Sequence, residues 1–169
     1  EEAKEYIDTI WNIQDVFDLK IHTGDSFLDI IVNYYLYLAV KENIEFAVWG
    51  KLTEKMPLEM FDITTLMGNI LQNAFEAAIK ADVPRIRVEL VEHKEEIFIV
   101  VSNSVAKRIN TKTDFFMTSK KDKENHGFGL KNIVAIVEKY HGECYIESIA
   151  ENREVLFQIS IAIPREKKE

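Results

Sequence analysis

Apolar positions along this chain recur with two periods, and each change of period marks a new element. Between residues 2 and 19, Tyr6, Ile10, Ile13 and Phe17 fall on one stripe, which predicts an amphipathic helix. His22-Thr23-Gly24 interrupts it. Ser26 with Asp29 has the form of a capping box, and a second helix is expected to run to about Glu42. Ile44, Phe46 and Val48 then alternate with Glu45, Ala47 and Trp49, the period of a strand. After a loop holding Pro57 comes the strongest helical pattern of the chain. With Asp62 as its expected cap, Ile63, Leu66, Met67, Ile70, Leu71, Ala74, Phe75 and Ala78 follow the i, i+3, i+4, i+7 rule, and Pro84 closes the segment.

Beyond Pro84 the period returns to two. Ile86, Val88 and Leu90 alternate with Arg85, Arg87 and Glu89, and residues 97–101 form a continuous apolar strand. Residues 104–125 are polar, rich in lysine and without period, broken only by Phe115-Phe116-Met117. A stretch of this length inside a compact domain reads as a functional lid or as disorder. A helix is predicted from Gly127 to about Tyr140, ended by His141-Gly142. Two more strands follow. In the last, Val155, Phe157, Ile159, Ile161 and Ile163 share one face, opposite Gln158 and Ser160. Strands interleaved with helices by mostly short connections predict an α+β architecture. The expected form is a two-layer sandwich whose later strands pair antiparallel and whose helices cover one face.

Composition narrows the class. A chain of 169 residues holds one domain, here expected over 21–169 with a lid at 104–126, plus an appendage at 1–20. The net charge of −8 argues against a footprint for a phosphate backbone, so nucleic acid is not an expected partner. The single cysteine, Cys144, excludes a disulfide framework and a multi-cysteine metal site, and reads as a core residue. The longest apolar stretch, residues 27–40, is broken by Asp29 and Asn33, so no membrane-spanning helix is expected. The chain opens without methionine and directly on a helical pattern, which reads as a piece of something longer.

Candidate chemistry lies in two places. On a helical wheel with Asn69 at zero, Asn73 falls near 40° and Glu76 near −20°, at the edge of a core arc of roughly 60° to 240°. Three polar side chains thus line one edge of a buried face. A solvated flank explains this as well as a cation site does. Mg²⁺ takes oxygen ligands, often only one or two from protein, and the amide oxygen of Asn73 suits it. The second place is His126-Gly127-Phe128-Gly129-Leu130. Glycines that end a loop and open a helix let backbone N–H groups approach a phosphate, although an ordinary helix start has the same look. Thr118, Ser119, Lys120 and Lys121 lie in the expected lid, where a solvated charge run is the plain reading and a lysine on a γ-phosphate the functional one. The histidines, His22, His93, His126 and His141, form no catalytic or metal spacing.

Together these segments resemble the nucleotide-binding domain of the GHKL superfamily, which includes gyrase, heat-shock chaperone, histidine kinase and mismatch-repair ATPases. Gly68-Asn69-Ile70-Leu71-Gln72-Asn73-Ala74-Phe75-Glu76-Ala77 is similar to its N box, in the form typical of Agr-like quorum-sensing sensor kinases. Phe115-Phe116-Met117-Thr118-Ser119-Lys120-Lys121 looks like the F box and lid, and His126-Gly127-Phe128-Gly129-Leu130-Lys131-Asn132 like the G2 box. Thr23-Gly24-Asp25 also has a counterpart in that subfamily. The resemblance implies the Bergerat fold, Asn73 as Mg²⁺ ligand, Asn69 at the position where hydrolysing relatives carry a glutamate base, and Gly127 and Gly129 at the phosphates. Asn103 stands where the family has its adenine-reading aspartate, and the G1-box glycines are absent. Gln72 replaces the usual aspartate within the N box.

The function so implied is ATP-dependent phosphotransfer by a sensor histidine kinase. ATP with Mg²⁺ would bind at Asn69, Asn73, Asn103, Thr118, Ser119, Lys120, Lys121 and residues 126–130. Asn69, Asn73 and Lys120 would take the catalytic roles. No phosphoacceptor motif follows any histidine. The acceptor is therefore expected upstream, on a dimerisation helix whose last turns are residues 2–19. The expected parent is a membrane-bound homodimer with this domain in the cytoplasm, acting on a cognate response regulator. A stand-alone GHKL protein-serine kinase of the anti-sigma type and a non-catalytic nucleotide-binding scaffold stand as alternatives.

Overall fold

The computed structural model describes residues 21–106, 128–151 and 154–165. The expected helix over 2–19 and most of the expected lid fall outside this range. Eight elements follow in chain order: α1 (Ser26–Lys41), β1 (Glu45–Trp49), α2 (Met60–Ala78), β2 (Arg85–Glu92), β3 (Glu96–Ser104), α3 (Phe128–Lys139), β4 (Glu143–Glu151) and β5 (Glu154–Pro164).

The strands form one sheet in the order β1-β2-β3-β5-β4. β1 runs parallel to β2, with Glu45 opposite Arg85, and α2 makes the crossover that a parallel pair requires. The other pairs are antiparallel: Val88 faces Val101, Ile99 faces Ile161, and Ile146 faces Ile159. The expected mixed, mostly antiparallel α+β sandwich is the observed architecture.

Alternation sets the inner face. Ile86, Val88 and Leu90, then Ile97, Ile99 and Val101, then Ile159, Ile161 and Ile163 are all buried, with Cys144 and Ile146 completing the row on β4. The residues between them on β2 and β3, such as Arg87, Glu89, Phe98 and Val100, are half-buried on the opposite face. The run 97–101 is thus apolar throughout yet still alternates in burial. α2 supplies the largest share of the helical layer. Every position of its predicted stripe is buried except Phe75, which is half-buried and packs against the core with its ring 6.4 Å from that of Tyr35. At about 25 cal/mol per Å² of apolar surface, such a stripe stabilises the helix far more than its intrinsic propensity does.

Both predicted caps are corrected. Asp25, not Ser26, caps α1: its Oδ1 accepts from the N–H groups of Phe27 at 2.9 Å and Leu28 at 3.1 Å. Asp29 turns back instead to Thr23, accepting from its N–H at 2.5 Å and its hydroxyl at 2.6 Å. α2 starts at Met60, and the Glu59 before it makes no side-chain cap bond. Asp62, inside the first turn, is engaged by α3 through Lys139 and Tyr140. The third difference is at the start of the expected lid. Ser104 is the last residue of β3, buried, and paired with Leu156. After α3 it is His141, at φ 57°, that takes the left-handed position, ahead of Gly142.

Candidate nucleotide site

α2 and α3 are clamped antiparallel at two points. At the first, Asp62 Oδ2 accepts from Lys139 Nζ at 2.6 Å and from the Tyr140 hydroxyl at 2.5 Å, while that hydroxyl accepts from the Glu59 N–H at 3.0 Å. Asp62 is 7% exposed, and the hydrogen bonds from Lys139 and then Tyr140 hold its carboxyl below the ordinary range. The Asp62 hydrogen bond raises Lys139 in turn, and burial raises the Tyr140 phenol. The second point lies about three turns along each helix. There Gly129 faces Asn69 and Asn73: a Cβ added to Gly129 would sit 3.4 Å from Asn69 Oδ1, 3.5 Å from Asn73 Nδ2 and 3.7 Å from Asn73 Oδ1.

The two places singled out in the sequence therefore meet. The amides of the N-box segment stand against the first turn of α3, with no side chain on Gly129 between them. Both asparagines are half-buried. Asn69 donates its Nδ2 to the Thr65 carbonyl at 2.7 Å, which fixes the amide and assigns Oδ1 to the Gly129 side. As an amide it has no group that takes a proton at neutral pH, so this residue cannot act as a base.

Asn103 lies at the end of β3 on the same sheet face as Ile97, Ile99 and Val101, which the helices cover, and is 3% exposed. Its Nδ2 donates to the Ser104 carbonyl at 2.9 Å, so Oδ1 is the acceptor of that amide. Leu130 is half-buried against the core. Thr118, Ser119, Lys120, Lys121, His126 and Gly127 lie outside the described residues, as does the side chain of Phe128.

Two residues near the site, Tyr35 and Gln72, were not legible as such in the sequence. Tyr35, 3% exposed on α1, donates to Gln72 Oε1 at 3.0 Å and to the Gly68 carbonyl at 3.3 Å. Gln72 Nε2 donates to Glu76 Oε1 at 2.6 Å. Tyr35 fits the apolar stripe of α1, and only its hydroxyl, whose partner lies 37 residues away, gives it a polar task. Cys144 is a core residue as expected. Burial pushes its thiol up to about 11, which leaves it protonated and unreactive.

The Thr23-Gly24-Asp25 segment lies at the other end of α1 and is taken up by backbone. Besides capping α1, Asp25 accepts from the Met56 N–H through Oδ2 at 3.0 Å, and the Thr23 carbonyl accepts from the Leu52 N–H at 2.7 Å. Gly24 has φ +97°, and a Cβ there would lie 2.0 Å from the Leu52 carbonyl oxygen. The segment is a latch that holds the loop before α2.

Residues 58–164 match the family model described as the GHKL domain, well over half of the 169-residue chain, and the chain belongs to that family. Among solved structures it resembles the catalytic domain of histidine kinase ThkA in a nucleotide-free form. That match has a TM-score of 0.58 at 19% identity and covers 84% of this chain and 93% of that one. A second nucleotide-free form of the same domain gives 0.57, with 82% and 90% covered. The mycobacterial sensor histidine kinase MprB gives a TM-score of 0.50 at 19% identity, covering 79% and 91%. At that identity the likeness is one of fold, the GHKL ATPase fold of histidine kinase catalytic domains. No curated protein matches the chain in sequence. Among the described residues no helix is long and apolar enough to cross a membrane.

Proposed function

We propose that this chain is the catalytic ATP-binding domain of a two-component sensor histidine kinase of the Agr-like quorum-sensing type. It binds ATP with Mg²⁺ and passes the γ-phosphoryl to a histidine on an upstream dimerisation domain. One observation carries the reading: the side-chain amides of Asn69 and Asn73, the first by its oxygen and the second by both its nitrogen and its oxygen, face the side-chain-free Gly129 in the first turn of α3. Oxygen donors for a hard cation and N–H groups for phosphate are thereby brought to one gap.

The residues present fit the nucleotide and its ion. The opening at Gly129 is one that any Cβ would narrow, and the amide oxygens beside it are of the type Mg²⁺ selects. Among the described residues no group of three His, Cys, Asp or Glu could hold a metal ion, so an ion here would arrive with phosphate oxygens. Asn73 would hold it, and when bound it supplies charge neutralisation at the phosphates. Asn69 orients without abstracting a proton, which disfavours attack by water and keeps the phosphoryl group for a protein acceptor. Asn103 Oδ1, on the helix-covered sheet face, would accept from the adenine amino group. Lys120 of the lid would reach the γ-phosphate. The bacterial parent would be a membrane-bound homodimer, with this domain in the cytoplasm and a response regulator as final acceptor.

Titration calorimetry with ATP, in Mg²⁺ and in EDTA, tests this. Micromolar-to-millimolar binding that weakens sharply in EDTA is expected. Equal affinity in both conditions, or no heat in either, refutes it. Radiolabelled ATP adds the reaction: an upstream helical hairpin supplied in trans should take an acid-labile, base-stable label, while the chain alone hydrolyses ATP slowly. An acid-stable label on a serine of a partner would favour the anti-sigma-type kinase.

A further inference from the structure

Asn69, Asn73 and Glu76 recur at i, i+4 and i+7, so Glu76 continues along α2 the stripe that carries both asparagines. It is exposed, yet its carboxylate is held. Gln72 Nε2 donates to Glu76 Oε1 at 2.6 Å, and Gln72 Oε1 accepts from Tyr35 OH at 3.0 Å. A tyrosine buried between two helices orients an amide, and the amide orients a carboxylate at the rim of the proposed site. The amide joins the two because it donates on one side and accepts on the other. An aspartate in place of Gln72 would accept from Tyr35 but offer Glu76 a second negative charge.

The geometry points to Glu76 as a specificity-determining residue: its latched carboxylate makes the site discriminate between metal-loaded and metal-free nucleoside triphosphate. This rests on the nucleotide reading above. Side chains three apart on a helix lie about 5–6 Å apart at Cβ, so Glu76 is the nearest acid along the stripe to Asn73. A fixed negative charge there repels phosphates that carry their full charge. The same oxygens accept from the waters that Mg²⁺ retains when bound. The Tyr35–Gln72 chain holds this exposed carboxylate in one orientation along the stripe. Gln72 and Tyr35 act as positioning residues through Glu76.

Titration calorimetry of the whole chain with ATP, in Mg²⁺ and in EDTA, reads the ratio of the two dissociation constants. For Glu76→Gln the ratio should fall about tenfold, mainly through tighter binding in EDTA, the size expected of charges a turn apart near a surface. Gln72→Leu and Tyr35→Phe should each move it part of the way, with thermal melts confirming that both are folded. A ratio unchanged in Glu76→Gln while Asn73→Ala collapses it overturns this inference alone. A native chain that binds no ATP overturns both this and the reading beneath it.

Discussion

Two glycines of this chain, Gly24 and Gly129, have polar residues around them, and they are opposite in kind. Around Gly24 the polar atoms are bonded within the chain: Asp25 accepts from backbone N–H groups with both oxygens, and Asp29 accepts from the N–H and the hydroxyl of Thr23. The positive φ and the Leu52 carbonyl leave no room for a side chain. Around Gly129 the fold itself would admit one, since the nearest atoms lie at ordinary contact distance. Those atoms are amide groups of which, among the described residues, only Asn69 Nδ2 has a bond to backbone, to Thr65. Similar residue types therefore make a scaffold in one place and a candidate site in the other. What separates them is whether the polar groups are already satisfied by the chain.

Substitutions sharpen that contrast, and their expected effects on stability fall from the latch to the candidate site. Gly24→Ala should be the most damaging, costing about 4 kcal/mol from a left-handed backbone and overpacking together, read by urea or thermal unfolding. A stability close to that of the native chain would show that the latch is not rigid.

Asp62→Asn should cost about 1–2 kcal/mol, the loss of a charge-assisted pair of hydrogen bonds. It should also change the acid limb of the stability curve. The folded carboxyl lies below its ordinary value of 3.8, so its contribution is present above that pH and is lost as pH falls through the folded value. The native chain should lose stability there, and Asp62→Asn should lose less. Parallel acid limbs would detach the α2–α3 clamp from this pair.

The smallest stability effects should fall at the candidate site. Asn73→Ala should shift stability by about 0.5 kcal/mol or less while weakening Mg²⁺–ATP binding by at least about tenfold. Gly129→Ala should stabilise by about 0.5 kcal/mol, as glycine replacements at compatible backbone do, yet also weaken the nucleotide by narrowing the gap. If Gly129→Ala leaves affinity intact, the meeting of the two segments is packing alone.

Much of this was legible in the sequence because periodicity is local. The stripe of α2, the alternation of β2 and β5, and the break at Pro84 needed only neighbours along the chain. The α+β class and the antiparallel character of the later strands followed from them. The caps misled because a polar residue near a helix start has several partners available. Asp29 fits a capping box by spacing, yet Thr23 lies closer in space. Asp62 suits a first turn, but α3 brings Lys139 and Tyr140 to it. Gln72 had no reading at all until Tyr35 and Glu76 were placed on either side of it.

The sequence by itself determined which faces are apolar, where elements start and stop to within a few residues, and which segments carry glycine and amide groups suited to a nucleotide. Tertiary structure alone decided that β1 lies parallel at one edge, that α2 and α3 run antiparallel, and that Gly129 stands against Asn69 and Asn73 rather than merely near them. The reason is range. Burial patterns are written in spacings of two to four residues. The pairing of polar groups from residues 69, 73 and 129 depends on how two helices settle on a common sheet, which is fixed by the packing of the whole core.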